Sequence, residues 1–441
     1  MRLGRILGFG LLGVAGLAAI LVFIVLWRLY VPSASAVRLS QIHAQRSRVP
    51  EAENAFIYIW GLPAPPKADA LELGRKRIAW LQQKAVNPDD LSPDPLGEPQ
   101  ELAALRSRGM KALAKVCAGS PGLPCVTAFD DWPADPAFNE LENASLQRYR
   151  ALLARGRWFE SVPFLGEGPL PPYAEAFEAQ RVQMLELRQA AAAGDAARVR
   201  DTLQEDLAFW REVMKSSDIL ISKMIACSAI RYNFFYGNLV LRRMPQALQA
   251  EAIPPLWRQP LRTEELSMFR SMAGEFEYTR GRIEWLRSAD AGFEEFDEEY
   301  PEDLVDEWLG KVSHRVRPWQ RQLNHVADAY LGLAEAFAVP LDQYPQAETN
   351  YEERFADNPS GNRAATYAVR VGSVEGMRRA ALLTAELRSR AVPESAMSVE
   401  LAAGSLKNPY TLTPFEWDAG QRAVTFEGPE KHKHRRQAYF Y

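Results

Sequence analysis

The sequence predicts a mainly α protein: an N-terminal transmembrane helix, then a large bundle of antiparallel helical hairpins, closed by a small C-terminal β-hairpin. Three observations predict it. Ile6–Trp27 is an apolar run of 22 residues without a charge. No proline falls between Tyr173 and Met244, where apolar residues recur at helical intervals. Near the end, short segments alternate apolar and polar residues around Asp418-Ala-Gly420. With 441 residues, 47% of them hydrophobic and 24% charged, the chain is neither disordered nor collagen-like.

At 1.5 Å per residue the first run reaches about 33 Å, enough to cross a hydrocarbon core of about 30 Å. Two readings compete there. Ala34-Ser35-Ala36 looks like a small-residue cleavage site, but a cleaved signal has an apolar region of only about 7 to 15 residues. The length favours an uncleaved anchor over residues 1–30, which makes the lipid bilayer a partner of residues 6–27. Trp27 and Tyr30 then sit at the interface, where amphipathic aromatics settle. Whether the segment is cut after Ala36 stays open at this stage. Residues 31–52 read as a linker.

Arg2 and Arg5 before the run oppose Arg28, Arg38, Arg46 and Arg48 after it, so the positive-inside rule does not decide orientation. Cysteine usage leans one way. Cys117 and Cys125 bracket a Gly/Pro loop and suit a short disulfide, hence an oxidising compartment, while their spacing is neither a zinc nor a thioredoxin signature. The expectation is a single-pass protein of the inner membrane with its C-terminal body in the periplasm. Arg2, Arg5 and Arg28 are the only charges in the first 37 residues, leaving 49 basic against 56 acidic residues beyond them. A nucleic-acid binder needs a basic footprint, so that class is disfavoured.

Of 30 prolines, 17 fall by Pro172. Proline removes a backbone donor and clashes with the preceding turn, so residues 53–172 read as short helices joined by loops, over 69–85, 99–117 and 139–156. Residues 173–405 read as the helical core. Tyr173, Phe177, Met184 and Leu187, then Val199, Leu203, Leu207, Trp210 and Met214, mark two helices, with Gly194-Asp195 supplying a stop and an N-cap. Ile219 to Leu241 is apolar nearly all round and belongs in the centre of the core. Further helices follow over 264–287, 312–337, 362–390 and 394–403. Residues 406–430 hold the β-hairpin and 431–441 a basic tail.

The familiar chemistries are missing: no G-x-S-x-G, no phosphate-binding glycine pattern, no H-E-x-x-H and no EF-hand loop. His314 and His325 are eleven residues apart, about 16 Å along a helix, too far to share a metal. No cofactor and no metal site is implied. Lys223, Arg231 and Asn233, with Asn238, interrupt the apolar central helix and are the ligand-binding candidates, because a buried cation must find a partner or lose its charge. Packing against carboxylates of neighbouring helices is the blander account. Asp290–Glu307 carries ten acidic residues and no Lys or Arg. Glu294, Glu295, Glu298 and Glu299 there are partner-binding candidates, against the simpler reading of a solvated face. Glu160-Ser161 stands like the acidic opening of a cell-wall lytic motif, but Val162-Pro163-Phe164 departs from its continuation.

Three segments carry a resemblance: Asn54–Gly61 (Asn-Ala-Phe-Ile-Tyr-Ile-Trp-Gly) with Gly74-Arg75, Leu220–Ala226 (Leu-Ile-Ser-Lys-Met-Ile-Ala), and Asn408–Asp418 (Asn-Pro-Tyr-Thr-Leu-Thr-Pro-Phe-Glu-Trp-Asp). They resemble recurrent segments of single-anchor helical envelope proteins of proteobacteria. The resemblance implies an envelope setting and no activity, so no catalytic residue is carried over. The resulting expectation is a non-enzymatic, membrane-anchored periplasmic protein that binds another envelope protein, as an assembly factor or an inhibitor. The alternative is an envelope enzyme or small-ligand carrier acting on cell-wall or lipid material through a helical cavity near Lys223.

Overall fold

The computed structural model describes residues 31–86, 92–97, 113, 115–117, 122–133, 138–161, 169–288, 319–356, 359–429 and 436–441. The expected membrane helix over 6–27, most of the helix expected over 99–117, and the acidic segment with Glu294, Glu295, Glu298 and Glu299 lie outside the described residues. Among the described residues no helix is long and apolar enough to cross a membrane.

The protein is mainly helical. The stretch read as a linker holds α1 (Ala34–Ala44), which starts where the Ser33 side chain accepts from the Ala36 N–H. A five-residue α2 (Ala55–Ile59) and α3 (Ala70–Val86) follow, then α4 (Leu123–Asp130) and α5 (Glu140–Leu153). At the start of α5, Asn139 and Glu142 exchange side-chain and backbone hydrogen bonds, relieving two otherwise orphaned N–H groups. The proline-free stretch forms α6 (Tyr173–Ala192), α7 (Ala196–Ser216) and α8 (Leu220–Arg242). Gly194 adopts φ +77 between α6 and α7, the left-handed conformation that glycine reaches without Cβ strain, and Asp195 caps α7 through the Arg198 N–H.

Three short helices come next: α9 (Gln249–Ala252), α10 (Pro255–Arg258) and α11 (Thr263–Leu266). The single helix expected over 264–287 is thus two, α11 and α12 (Phe269–Ser288). The chain is extended at Ser267, whose hydroxyl accepts from the Phe269 N–H and restarts the helix. The rest comprises α13 (Trp319–Ala336), α14 (Tyr344–Arg354), α15 (Pro359–Ser389) and α16 (Met397–Ala403).

The described chain falls into two compact units, Met1–Arg46 with Met272–Gly332, and Ser47–Ser271 with Leu333–Tyr441. In the larger unit α8 is the central element, packed against α6, α7, α15 and the C-terminal sheet. Its polar side chains meet a buried network: Asp206 of α7 accepts from Tyr149 Oη, from Gln180 Nε2 at 2.9 Å and from Asn233 Nδ2 at 2.8 Å. Burial pushes the Asp206 carboxyl up to about 6 even with those donors in place.

The expected hairpin is a three-stranded antiparallel sheet in the order β1-β2-β3, made of Glu416–Asp418, Ala423–Glu427 and Arg436–Phe440. The last strand comes from the segment read as a basic tail. Tyr439 and Phe440 are buried, Tyr439 pairs with Val424, and Arg388 donates to the Phe440 carbonyl. Pairing β3 on β2 covers an edge that a hairpin leaves open. The sheet sits close on α15: a Cβ at Gly376 would come within 2.2 Å of the Phe426 ring, so only glycine admits this approach. Asn54 and Asn408, in two of the segments that carry the resemblance, are structural. Asn54 Oδ1 accepts from the N–H groups of Phe56 and Phe159, and Asn408 Nδ2 donates to the Glu427 carbonyl.

Candidate functional site

Lys223 lies in the first turn of α8 and is 1% exposed. Its Nζ donates to the Met214 carbonyl at 2.7 Å and to the Glu265 carbonyl at 2.9 Å. Both acceptors belong to last helical turns, of α7 and α11, where carbonyls lack intrahelical donors and the dipole favours a cation. Burial lowers the ammonium pKa to about 8, against the opposing pull of Cys227 and Glu265. Lys223 therefore ties three helices together. Asn233 does the same inside the core, donating to Leu203 O at 3.0 Å and to Asp206, and accepting from Trp257 Nε1 at 3.1 Å. Asn238 links α8 to α15 through the Ala381 carbonyl and Arg388. Arg231 is different: it is half-buried, its guanidinium stands 5.3 Å from the Tyr232 ring centroid, and its Nε has no hydrogen-bond partner.

Glu160, read from the sequence only as the opening of a weak lytic motif, is 6% exposed. Its Oε2 accepts from the N–H groups of Asp218 at 2.7 Å and Ile219 at 2.9 Å, and its Oε1 from Trp158 Nε1 at 3.0 Å. Ile219 has no capping side chain of its own, so a carboxylate from far away in sequence caps α8. Asp218 is held by Arg270 at 2.8 Å. Burial, and next the Asp218 charge, push the Glu160 carboxyl up to about 7. No local pattern marks Glu160 or Asp206, since apart from Trp158, two residues before Glu160, their partners lie on other elements.

Cys117 and Cys125 form a disulfide with Cα atoms 4.8 Å apart, and both are buried. Cys227 is a buried thiol whose Sγ contacts Met214 Sδ at 3.6 Å. Glu294, Glu295, Glu298, Glu299 and His314 lie outside the described residues. His325 is exposed on α13. Among the described residues no group of three or more His, Cys, Asp or Glu side chains is placed to hold a metal ion.

The open site lies in the smaller unit, where α1, α12 and α13 enclose a groove of about 750 Å³. Ala36, Phe276 and Leu323 form its buried floor. Val37, which is 46% exposed, Ile283 and Trp319 add apolar wall, and Ser40, Arg280, Glu284 and Gln320 add polar rim. The walls are fixed by long-range bonds. Asn324 of α13 accepts from the Ser33 N–H at 2.8 Å and donates to the Val31 carbonyl at 2.9 Å. Ser40 donates to Glu277 of α12 at 2.6 Å, and Arg280 pairs with Glu277 on the same helix. Lining residues run from Ala36 to Ala44 on α1 and from Phe276 to Glu284 on α12. Eight residues of helix extend about 12 Å. The groove is therefore a trough about two helical turns long, apolar below and polar at its lips. The sequence hides it, because α1 lies in a stretch that reads as linker and the three walls come from distant parts of the chain.

No protein-family model, no curated protein and no solved structure matches this chain.

Proposed function

We propose that the protein is a single-pass, periplasm-facing component of the cell envelope with a non-enzymatic role, and that the trough between α1, α12 and α13 receives an amphipathic helix of a partner envelope protein. The observation that carries this reading is the trough itself. Its length matches two turns of helix, its floor offers Ala36, Phe276 and Leu323 to apolar side chains, and its lips offer both charge signs, Arg280 and Glu284, to the polar flanks of such a helix. Val37 is a large apolar side chain left in solvent at its mouth. Its start lies only a few residues beyond Tyr30, at the end of the segment expected to anchor the chain, so a partner bound there stands at the membrane surface. A buried disulfide, Cys117–Cys125, accords with an oxidising compartment. Lys223 supports this reading by its occupation: its ammonium donates to two carbonyls of the fold, those of Met214 and Glu265, which removes the cation around which a ligand cavity near α8 is expected.

The test is site-specific photocrosslinking in cells from position 37, with position 399, also exposed and apolar at Val399, as the control. The expected product is one envelope protein joined through a helical segment, and a synthetic peptide of that segment binds the purified full-length protein and loses binding in Ile283→Glu. Products that map only to lipid, or only to this chain's own residues, overturn the proposal.

A further inference from the structure

Buried Glu265, Glu375 and Asp218 each face an arginine: Arg211 at 2.8 Å, Arg378 at 2.7 Å and Arg270 at 2.8 Å. Glu160 is 6% exposed and among the described residues has no such cation. Its Oε2 lies 2.7 Å from the backbone nitrogen of Asp218, so two carboxyl groups share the buried start of α8 while Arg270 bonds to one of them. Asp206 also lacks a cation, but it stands inside α7, where movement would break a helix. Glu160 instead stands on a strap, 157–161, that belongs to no helix. On one side the strap holds the start of α2. The Arg157 carbonyl accepts from the Ala55 N–H at 2.9 Å, and Asn54 accepts from the Phe159 N–H at 3.0 Å and donates to its carbonyl at 2.9 Å. On the other side the hydrogen bonds to Asp218 and Ile219 run through the Glu160 carboxyl. Between them Trp158 is buried edge-on, 5.3 Å from the Phe56 ring and 6.5 Å from the Phe209 ring.

The charged and titratable groups around Glu160 come from three elements. Asp218 stands on the link between α7 and α8, Arg270 on α12, and Tyr173 on α6, its hydroxyl 2.6 Å from Ser222 Oγ. Lys223, the residue after Ser222, is turned to the Met214 and Glu265 carbonyls. With a proton on Glu160 the cluster holds one negative charge against Arg270. Without it there are two, in a place that excludes water, and ionisation there is costly. The protonated carboxyl keeps an oxygen that accepts the two backbone N–H bonds, so the cap survives protonation.

We propose that Glu160 is a proton-operated latch: carrying a proton it holds the strap 157–161, and with it the start of α2, on the N-terminus of α8, and its ionisation favours release. The latch is in the larger unit and is independent of the trough. In the closed state the carboxyl titrates at about 7, pushed up from 4.5 first by burial and then by the Asp218 charge, whereas a released strap returns it to the ordinary carboxylate range. The latch is therefore fully held below about pH 4.5. Above that, opening becomes about tenfold easier per pH unit and levels off past about pH 7, about 300-fold in all.

Hydrogen exchange of the full-length protein in detergent, read by mass spectrometry from about pH 5 to 8.5 and corrected for the intrinsic rate, follows the Asp218 and Ile219 amides that end on Glu160. Their opening should rise with pH, level off near 7, and leave peptides of α15 unchanged. Glu160→Gln, neutral at every pH, should abolish the rise. Asp218→Asn removes the neighbouring charge and should move the levelling-off to lower pH, a shift that a carboxyl serving only as a cap would not show. The unmutated protein, with α15 as its internal reference, decides the matter if a variant folds poorly. A flat profile, an equal rise in α15, a rise that survives Glu160→Gln, or a levelling-off that Asp218→Asn leaves in place overturns the proposal.

Discussion

Lys223 makes the central packing testable through pH. Its ammonium is held among helix C-termini and its pKa falls from 10.5 to about 8 because burial removes water from the charged form. The unfolded chain therefore binds a proton at this lysine between about pH 8 and 10.5 that the folded chain does not. By linkage, stability must rise with pH across that window, since the unfolded state binds more protons. A shift of that size corresponds to about 3 kcal/mol over the whole interval. Replacing Lys223 with Met removes the titrating group and keeps most of the volume, while leaving the Met214 and Glu265 carbonyls without their donor. The variant should be less stable by about 1 to 3 kcal/mol at pH 9.5 from those unmet carbonyls. It should also lose the upward slope. Cys227, four residues on, acts electrostatically on Lys223, so both proteins carry Cys227→Ala. The assay is urea unfolding of the full-length protein in detergent, followed by tryptophan fluorescence at pH 7.5, 8.5 and 9.5. Parallel pH profiles for the two proteins would refute the assignment of Lys223 as a buried ammonium between helix ends.

Three further outcomes are expected. Glu160 has a folded pKa of about 7 against 4.5, so its contribution to stability is full below about pH 4.5 and declines as pH rises towards 7; Glu160→Gln should flatten that part of a thermal-unfolding profile, and an unchanged profile would remove Glu160 as its source. Gly376→Ala should destabilise by about 1 to 3 kcal/mol, because its new methyl meets the Phe426 ring, and Phe426→Leu should recover part of the loss in chemical denaturation. Reducing Cys117–Cys125 should cost about 2 to 3 kcal/mol, read as a lower unfolding midpoint in reductant, and the Cys117→Ser, Cys125→Ser protein should show no response to reductant.

Much of the helical framework is legible in the chain. The hairpin of α6 and α7, with its turn at Gly194-Asp195, follows from apolar spacing and a left-handed glycine, and α8 follows from a run apolar on nearly every side. Those signals are local: a helical period repeats every few residues, and a cap acts within one turn. The candidate site was not legible in the same way. Lys223, Asn233 and Asn238 are polar residues in an apolar helix whether they face a cavity or a neighbour, and only the packed fold supplies the carbonyls and side chains that meet them. Arg231 carried the same sequence signal and alone among the named candidates kept an unpartnered nitrogen.

From the sequence come the mainly α class, the central place of α8, the strands on either side of Asp418-Ala-Gly420 and the cysteine pair flanking a short loop. Tertiary structure decided the rest. Glu160 caps a helix that begins 60 residues later, Ser40 meets Glu277, and Arg436–Phe440 becomes a strand only because β2 offers an edge and α8 and α15 offer an apolar surface. Periodicity records how a segment folds on itself. Which segments then face one another depends on packing surfaces that no single stretch of the chain contains.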